Sequence, residues 1–176
     1  MQKLQWIQNK VYTREALVRE CNAWRVMQKK IVFTNGCFDI LHHGHLDLLA
    51  RAADFGNILI VGINTSNSVQ RLKGPQRPVT GENDRAFQVA SLLCVDAVCL
   101  FDEDTPAELI KAIRPDVLVL SKSTKHKKED IEEKAKYCGR ILLLEPQAET
   151  STSAKVRLLH VSGADRFAKE LIPKIS

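Results

Sequence analysis

The stretch IVFTNGCFDILHHGH, at positions 31–45, constrains the fold of this chain more than any other. Its first residues are apolar and mostly β-branched or aromatic, which is typical of a buried central strand. The apolar run stops at Asn35 and Gly36, and the glycine predicts a sharp turn of the backbone there. Two histidines, His42 and His45, follow the turn. The stretch therefore predicts a strand, a tight turn and a histidine-bearing connection in immediate succession.

The segment that follows predicts a helix over 45–55, because its apolar residues recur on one side, and Gly56 stands where a C-cap glycine belongs. His42 and His45 would then lie at the helix N-terminus, where free N–H groups and the positive end of the helix dipole attract phosphate. Gly44, between them, would let a phosphate approach the backbone closely. We interpret this junction as a phosphate-binding site rather than as two histidines that merely begin a helix.

Strands and helices alternate along the rest of the chain, after an amphipathic helix predicted over 13–27 with Thr13 as its N-cap. This order predicts an α/β fold, a doubly wound parallel sheet with its ligand site at the carboxyl ends of the strands. No GxGxxG and no Walker-type glycine loop is present, so ordinary dinucleotide and P-loop sites are not supported. The further predicted strands are 57–63, 97–101, 116–120 and 140–144, and the further predicted helices are 82–93, 105–113, 128–137 and 152–160.

The length of 176 residues and the 44% hydrophobic content suit one good-sized core, so we predict a single domain. It would comprise an N-terminal helical extension (1–28), a core (29–160) and a C-terminal tail (161–176). The net charge of +5 fits an enzyme for anionic substrates as well as a nucleic-acid binder. Basic residues are not interleaved with aromatic ones on a common face, so we expect no nucleic-acid partner.

The five cysteines form no CxxC pair, which indicates a reducing cytosol and neither a disulfide framework nor a zinc site. Cys37 is predicted to be a small apolar core residue. No stretch approaches the roughly 20 apolar residues needed to cross a bilayer, and the N-terminus lacks the apolar centre of a signal peptide. We expect a cytoplasmic protein without a membrane partner. Trp6 and Trp24 would anchor the N-terminal segment, on the core more readily than on a second subunit.

The segment TNGCFDILHHGH resembles the signature of the nucleotidylyltransferase superfamily with the HxGH motif. Together with RLKGPQRPV and FDEDTPAELIKAIRPDVLV, it makes residues 31–119 similar to the adenylyltransferase domain of bacterial ADP-heptose synthases, in a free-standing rather than kinase-fused form. Glycerol-3-phosphate cytidylyltransferases are more distantly similar. The resemblance implies a Rossmann-like nucleotidylyltransferase fold, here with an extra N-terminal helix. It also implies transfer of AMP from ATP to a sugar phosphate, such as D-glycero-D-manno-heptose 1-phosphate, with release of pyrophosphate and with Mg²⁺ shielding the triphosphate.

The same resemblance implies roles for individual residues. The nucleophile, a phosphate oxygen, is already ionised, so the protein must align two anions and neutralise charge rather than supply a strong base. Asp39 would support the turn rather than touch phosphate. Hydroxyl groups opening the last helix would bind the β- and γ-phosphates. The implied catalytic residues are His42, His45 and Lys73; the nucleotide-binding residues are Thr34, Asn35, Gly36, Cys37, Phe38, Gly44, Arg85, Ser151, Thr152 and Ser153; and the substrate-binding residues are Asn64, Lys73 and Arg77.

Lys73 and Arg77 are predicted in a loop beside glycine and proline, which suits fixed cations for phosphate. Arg85 would reach a phosphate from the following helix, and a plain surface arginine is the alternative. Superfamily members of this size are usually dimers or larger oligomers. The N-terminal helix and an apolar C-terminal end therefore predict a homodimer. That apolar end comprises Leu171, Ile172 and Ile175.

The sequence departs from its relatives beside the nucleotide. Residues 120–124 read Leu-Ser-Lys-Ser-Thr where close relatives carry Lys-Gly-Gly-Asp-Tyr, and Ala148-Glu149 replaces a Glu-Gly pair. The loss of two glycines removes close backbone approach there. Asp47 replaces a lysine of the cytidylyltransferase branch and argues against that branch. Two alternatives stay open, a cytidylyltransferase for a polyol phosphate and a nucleotide-binding relative without turnover.

Overall fold

The apolar runs of the sequence form the strands of one parallel sheet, in the order β1-β4-β3-β2-β5-β6. A computed structural model describes residues 2–122 and 127–145. The described strands are β1 (Val11–Tyr12), β2 (Ile31–Gly36), β3 (Ile58–Asn64), β4 (Ala97–Phe101), β5 (Val117–Ser121) and β6 (Arg140–Leu144). The described helices are α1 (Lys3–Gln8), α2 (Arg14–Val26), α3 (His43–Ala53), α4 (Ser66–Lys73), α5 (Glu82–Ala90), α6 (Ala107–Ile113) and α7 (Lys128–Ala135).

Strand β2 lies near the middle of the sheet and positions the site. Its register with β3 runs from Ile31 opposite Ile58 to Gly36 opposite Ile63, and its other edge pairs with β5. The chain passes from β2 to β3 and β4 on one side and then returns to β5 on the other side. Ligands of doubly wound sheets bind at such a reversal, at the carboxyl ends of the strands. The prediction of an α/β doubly wound parallel sheet is confirmed.

Each face of the sheet carries its own apolar core, because successive strand residues point to opposite faces. On one face the core includes Val32 and Val61 of the sheet and Leu49 of α3. On the other it includes Phe33 and Ile110, the latter from α6. Helix α3 is therefore packed on the sheet, which fixes the direction of its N-terminus at the end of β2.

The N-terminal segment is more than a helical extension. Residues Val11 and Tyr12 form the edge strand β1, which pairs with Val98 and Cys99 of β4. Helix α2 buries Leu17 and Cys21 completely, and Thr13 caps it as predicted by accepting a hydrogen bond from the amide of Ala16 at 3.2 Å. Sequence periodicity missed β1, since a two-residue strand shows no alternation.

Several predicted details are wrong. Trp6 is not in the core, because 46% of it is exposed, whereas Trp24 packs against the α2 and α6 face. The helix predicted over 82–93 ends at Ala90. Helix α3 ends before Gly56, and a Cβ atom on Gly56 would lie 2.7 Å from the Lys30 carbonyl oxygen. Glycine is therefore required there by close approach of the backbone and not as a C-cap.

No helix within residues 2–122 and 127–145 is long and apolar enough to cross a membrane. The predicted helix at 152–160 and the apolar end at Leu171, Ile172 and Ile175 lie outside the described residues.

Candidate nucleotide site

The turn between β2 and α3 forms the centre of the site. The backbone reverses at Phe38, which has a φ of 47°, rather than at Gly36, which still pairs in β2. A Cβ atom on Gly36 would lie 3.1 Å from the Phe38 ring, so the glycine makes room for that ring. His42 then begins α3 as its N-cap, and its carbonyl oxygen accepts hydrogen bonds from the amides of His45 at 2.9 Å and Leu46 at 3.2 Å.

The two histidines of the motif lie face to face. The ring centroids of His42 and His45 are 3.8 Å apart with an angle of 24° between the planes. The edge of Phe38 meets His45 at a centroid distance of 5.2 Å. The Nδ1 atoms of both histidines are shielded from solvent. The structure thus brings the two predicted histidines together at the N-terminus of α3.

Asp39 ties this turn to the loop of residues 74–80, which we call the anchored loop. Its carboxylate is 2% exposed and accepts hydrogen bonds from Arg77 Nη1 at 2.6 Å, from the Val79 amide at 2.7 Å and from the Thr80 amide at 3.0 Å. Charged hydrogen bonds of this kind are about twice as strong as neutral ones. The prediction that Asp39 supports the turn is confirmed.

The predicted cation loop is partly wrong. Helix α4 was not predicted, and Lys73 is its exposed last residue rather than a loop residue. Thr65 begins the helix by accepting a hydrogen bond from the Ser68 amide at 3.2 Å, and Gly74 ends it with a φ of +94°. Arg77 does lie in the anchored loop, but its charge is paired with Asp39. Lys73 is therefore the more available cation of the two.

Arg85 is completely buried, so the alternative of a plain surface arginine is wrong. Its Nε donates to the Thr80 carbonyl at 2.9 Å, and its Nη1 donates to the carbonyls of Cys37 at 2.6 Å and Asn64 at 2.8 Å. Burial lowers the pKa of the Arg85 guanidinium, while nearby Cys37 and Asp39 oppose that shift. An arginine keeps its charge in proteins even so.

Asn64 and Cys37 lie at the ends of β3 and β2. The Asn64 amide nitrogen donates to Ser68 Oγ at 2.9 Å, and Cys37 Sγ lies 3.9 Å from Asn64 Oδ1. Cys37 is half-buried and packs in neither core cluster, so its prediction as a core residue is wrong. Thr34 is buried within β2, and Asn35 is half-buried beside it.

Charged residues border the site on the β5 and β6 side. Arg51 Nη1 contacts Asp47 at 3.3 Å and the Glu145 carbonyl at 2.9 Å, and Lys122 Nζ contacts the Glu145 carboxylate at 2.7 Å. Asp47 therefore pairs with its own helix. Ser123 and Thr124 of the altered loop lie outside the described residues, as do Ala148 and Glu149 and the predicted phosphate ligands Ser151, Thr152 and Ser153.

Sequence reasoning missed Glu82 and Thr80. Glu82 Oε2 accepts a hydrogen bond from the Ser66 amide at 2.6 Å, and Thr80 holds both Asp39 and Arg85 through its main chain. No local sequence pattern identifies either residue. The contact of Glu82 joins it to Ser66, 16 residues away, and Thr80 contributes only main-chain atoms. In the described ranges, no group of three or more His, Cys, Asp or Glu could hold a metal ion.

A parallel doubly wound sheet with a histidine pair at a helix N-terminus after its central strand defines an α/β nucleotidyltransferase fold. The sequence profile of the cytidylyltransferase-like family matches residues 33–164. The chain belongs to this family of nucleotidyltransferases, and the resemblance stated from the HxGH segment is confirmed.

Curated relatives match over part of their length. The chain is 62% identical over 92 residues to "Bifunctional protein HldE" of Helicobacter pylori strain P12, covering 52% of this chain and 20% of that protein. It is 44% identical over 154 residues to "Bifunctional protein HldE" of Methylobacillus flagellatus, covering 86% of this chain and 31% of that protein. The chain thus spans a fifth to a third of these relatives.

Two solved structures share the fold. A lipopolysaccharide core biosynthesis protein from Thermoplasma volcanium is 25% identical with a TM-score of 0.60, over 68% of this chain and 99% of that chain. A pantoate-beta-alanine ligase from Francisella tularensis, complexed with beta-gamma ATP and beta-alanine, is 16% identical with a TM-score of 0.55, over 79% of this chain and 67% of that chain. The second likeness supports the fold alone.

Proposed function

We propose that the chain transfers AMP from ATP to a sugar phosphate, D-glycero-D-manno-heptose 1-phosphate, giving an ADP-sugar and pyrophosphate. The observation that carries the proposal is the stacked pair His42 and His45 at the N-terminus of α3. The resemblance of residues 31–119 to the adenylyltransferase domain of ADP-heptose synthases favours a heptose phosphate as the acceptor class.

In this proposal the site aligns two anions. Backbone amides at the start of α3 and the Nε2 atoms of His42 and His45 would bind the triphosphate, with Asn35 and Gly36 lining the turn beneath it. An acceptor oxygen attacks the α-phosphorus, the bond to the bridging oxygen breaks and pyrophosphate leaves. Because the attacking oxygen is already ionised, no general base is required. The histidines and Lys73 would stabilise the charge that grows on the transferred and leaving phosphates.

The other predicted site residues would contact either the nucleotide or the acceptor. Thr34, Cys37, Phe38 and Gly44 would contact the nucleotide, and so would Ser151, Thr152 and Ser153, while buried Arg85 would act on the nucleotide side through the Cys37 carbonyl. Asn64 and Arg77 belong to the acceptor side with Lys73. The described part of the chain offers no protein cage for a metal. Magnesium would therefore come with ATP, held by phosphate oxygens and water, which is its common binding mode in such sites.

A pyrophosphate-release assay with ATP and CTP, each against heptose 1-phosphate and glycerol 3-phosphate, tests the proposal. We expect turnover with ATP and the heptose phosphate. Turnover with CTP alone would favour the second candidate, a cytidylyltransferase for a polyol phosphate. Asp47 argues against that branch, because a carboxylate paired with Arg51 cannot neutralise phosphate.

A nucleotide-binding relative without turnover is the third candidate, motivated by the altered residues 120–124. Calorimetric binding of ATP without pyrophosphate release for any acceptor would support it over the enzyme.

A homodimer in the cytoplasm belongs to the proposal as well. Exposed Leu4, Trp6, Val26 and Met27 supply apolar surface on the N-terminal segment. Removing that whole segment would also remove strand β1 and buried Leu17, so a point substitution is the cleaner test. If the segment forms the interface, Trp6→Glu should convert a sedimenting dimer into a monomer with unchanged circular dichroism. A monomeric native chain would reject the dimer.

A further inference from the structure

The main-chain ladder between β2 and β3 stops one position before the site. Its last pair is Gly36 with Ile63, so the next position sets Cys37 opposite Asn64. At this position a side chain joins the strands, because Arg85 Nη1 donates to both the Cys37 carbonyl and the Asn64 carbonyl, at 2.6 and 2.8 Å. An Nη group carries two hydrogens, one for each carbonyl. The guanidinium therefore continues the pairing of the two strands beyond the end of the ladder.

The same guanidinium holds a third segment. Arg85 Nε donates to the Thr80 carbonyl at 2.9 Å, and the Thr80 amide is itself bonded to Asp39. Glu82, one turn earlier on α5, accepts a hydrogen bond from the Ser66 amide at 2.6 Å. Because a guanidinium is planar and its donors are fixed in direction, it sets the distances among the three carbonyls it binds. Helix α5 thus fixes the turn after β2, the end of β3 and the anchored loop relative to one another.

Because Arg85 is buried, it holds the backbone segments together without direct contact with a ligand. None of the residue is exposed, and its Nη2 is buried without a hydrogen-bond partner in the described part of the chain. A phosphate could reach it only if the surrounding segments moved apart. Within residues 2–122 and 127–145, the hydrogen bonds of Arg85 go to main-chain carbonyls, so its effect is transmitted through the backbone.

The geometry points to Arg85 as a positioning residue that sets the spacing between the bound nucleotide and the acceptor phosphate. The inference rests on the proposed function, which assigns the turn after β2 to the nucleotide and Asn64 to the acceptor. Reacting atoms must lie about 3 to 3.5 Å apart, and a misplacement of about 1 Å can cost about 100-fold in rate. Arg85 fixes this spacing without touching either substrate.

The test compares Arg85→Lys with a control at an exposed arginine, Arg25→Lys. Arg25 also binds main-chain carbonyls, those of Ile113 and Arg114, but near the amino ends of the strands, ahead of β5. In Arg85→Lys we expect kcat to fall about 10- to 100-fold, with the ATP dissociation constant within about threefold of native. Arg25→Lys should keep the native kcat. Amide hydrogen exchange should accelerate at 37–42, 64–66 and 79–80 in Arg85→Lys alone.

Two results would overturn the inference. A native kcat with a raised ATP dissociation constant would mean direct contact with phosphate. Unchanged kcat and unchanged exchange at the three segments would mean that Arg85 has no positioning role.

Nitrogen NMR of the native chain tests the positioning role of Arg85 even if the variant does not fold. The Nη1 hydrogens of Arg85 should exchange slowly with water before and after ATP is added. Fast exchange, or a large shift of the Nη resonances on ATP binding, rejects the inference. Absence of pyrophosphate release by the native chain would reject the proposed function instead, and the exchange measurements would still test the positioning role of Arg85.

Discussion

Asp39→Asn removes one negative charge from the middle of the site while it keeps the shape of the side chain. The native carboxylate receives three hydrogen bonds, from Arg77 Nη1 and from the amides of Val79 and Thr80. The asparagine oxygen can still accept from the two amides. Its NH₂ group, however, would face Arg77 Nη1, so a donor would meet a donor where an ion pair had been.

The burial of the Asp39–Arg77 pair determines how much free energy of unfolding Asp39→Asn should lose. Breaking a buried ion pair by removing one partner costs about 3 to 5 kcal/mol. Side chains of Asp39 and Arg77 are 2% and 16% exposed, so water relieves only part of the uncompensated charge. We expect the free energy of unfolding to fall by about 3 kcal/mol, the lower end of that range. With a urea dependence of about 2 kcal/mol per molar, the denaturation midpoint should drop by about 1.5 M.

Urea denaturation measures the loss of free energy of unfolding and the coupling between the two residues. It is applied to the native chain, Asp39→Asn, Arg77→Met and the double variant. Coupling of at least about 1 kcal/mol is expected for a contacting pair. Glu132→Gln is the control, since the exposed Lys128–Glu132 pair at 3.7 Å should contribute about 0.3 to 0.5 kcal/mol. A loss below about 1 kcal/mol in Asp39→Asn, or additive single losses, would refute the reasoning.

Three further predictions concern the site, the backbone and the buried thiols. His45→Ala should lower kcat by about two to three orders of magnitude, about 3 to 4 kcal/mol, with less effect on ATP affinity; a normal kcat with a raised KM would contradict the transition-state role. Gly56→Ala should reduce the free energy of unfolding by about 1 to 3 kcal/mol in urea denaturation, because its methyl group would overlap the Lys30 carbonyl oxygen. Burial raises the pKa of Cys21 and of Cys99 to about 11, from the ordinary 9.0. The stabilisation from keeping these thiols protonated is therefore full below pH 9 and is lost as the pH rises through about 11, a slope that Cys21→Ala with Cys99→Ala should reduce.

The sequence predicted the central strands well because their burial on both faces leaves continuous apolar runs. Strands β4 and β6 match the predicted ranges, whereas β3 and β5 are shifted by one residue. Short elements were not predicted. Helix α1 and strand β1 are too brief for a periodic pattern, and helix α4 is mostly polar, so packing and its Thr65 cap define it more than hydrophobicity does.

The sequence alone determined the apolar strands, the position of the helix after β2 and the two histidines at its N-terminus, since each depends on residues that are close along the chain. Only the tertiary structure showed which groups Arg77 and Arg85 bind. Both were predicted as cations for phosphate, but Arg77 is paired with Asp39 and Arg85 donates its hydrogen bonds to main-chain carbonyls. Asp39 lies 38 residues from Arg77, and two of the three carbonyls that Arg85 binds lie 21 and 48 residues from it, separations at which no local pattern records a contact.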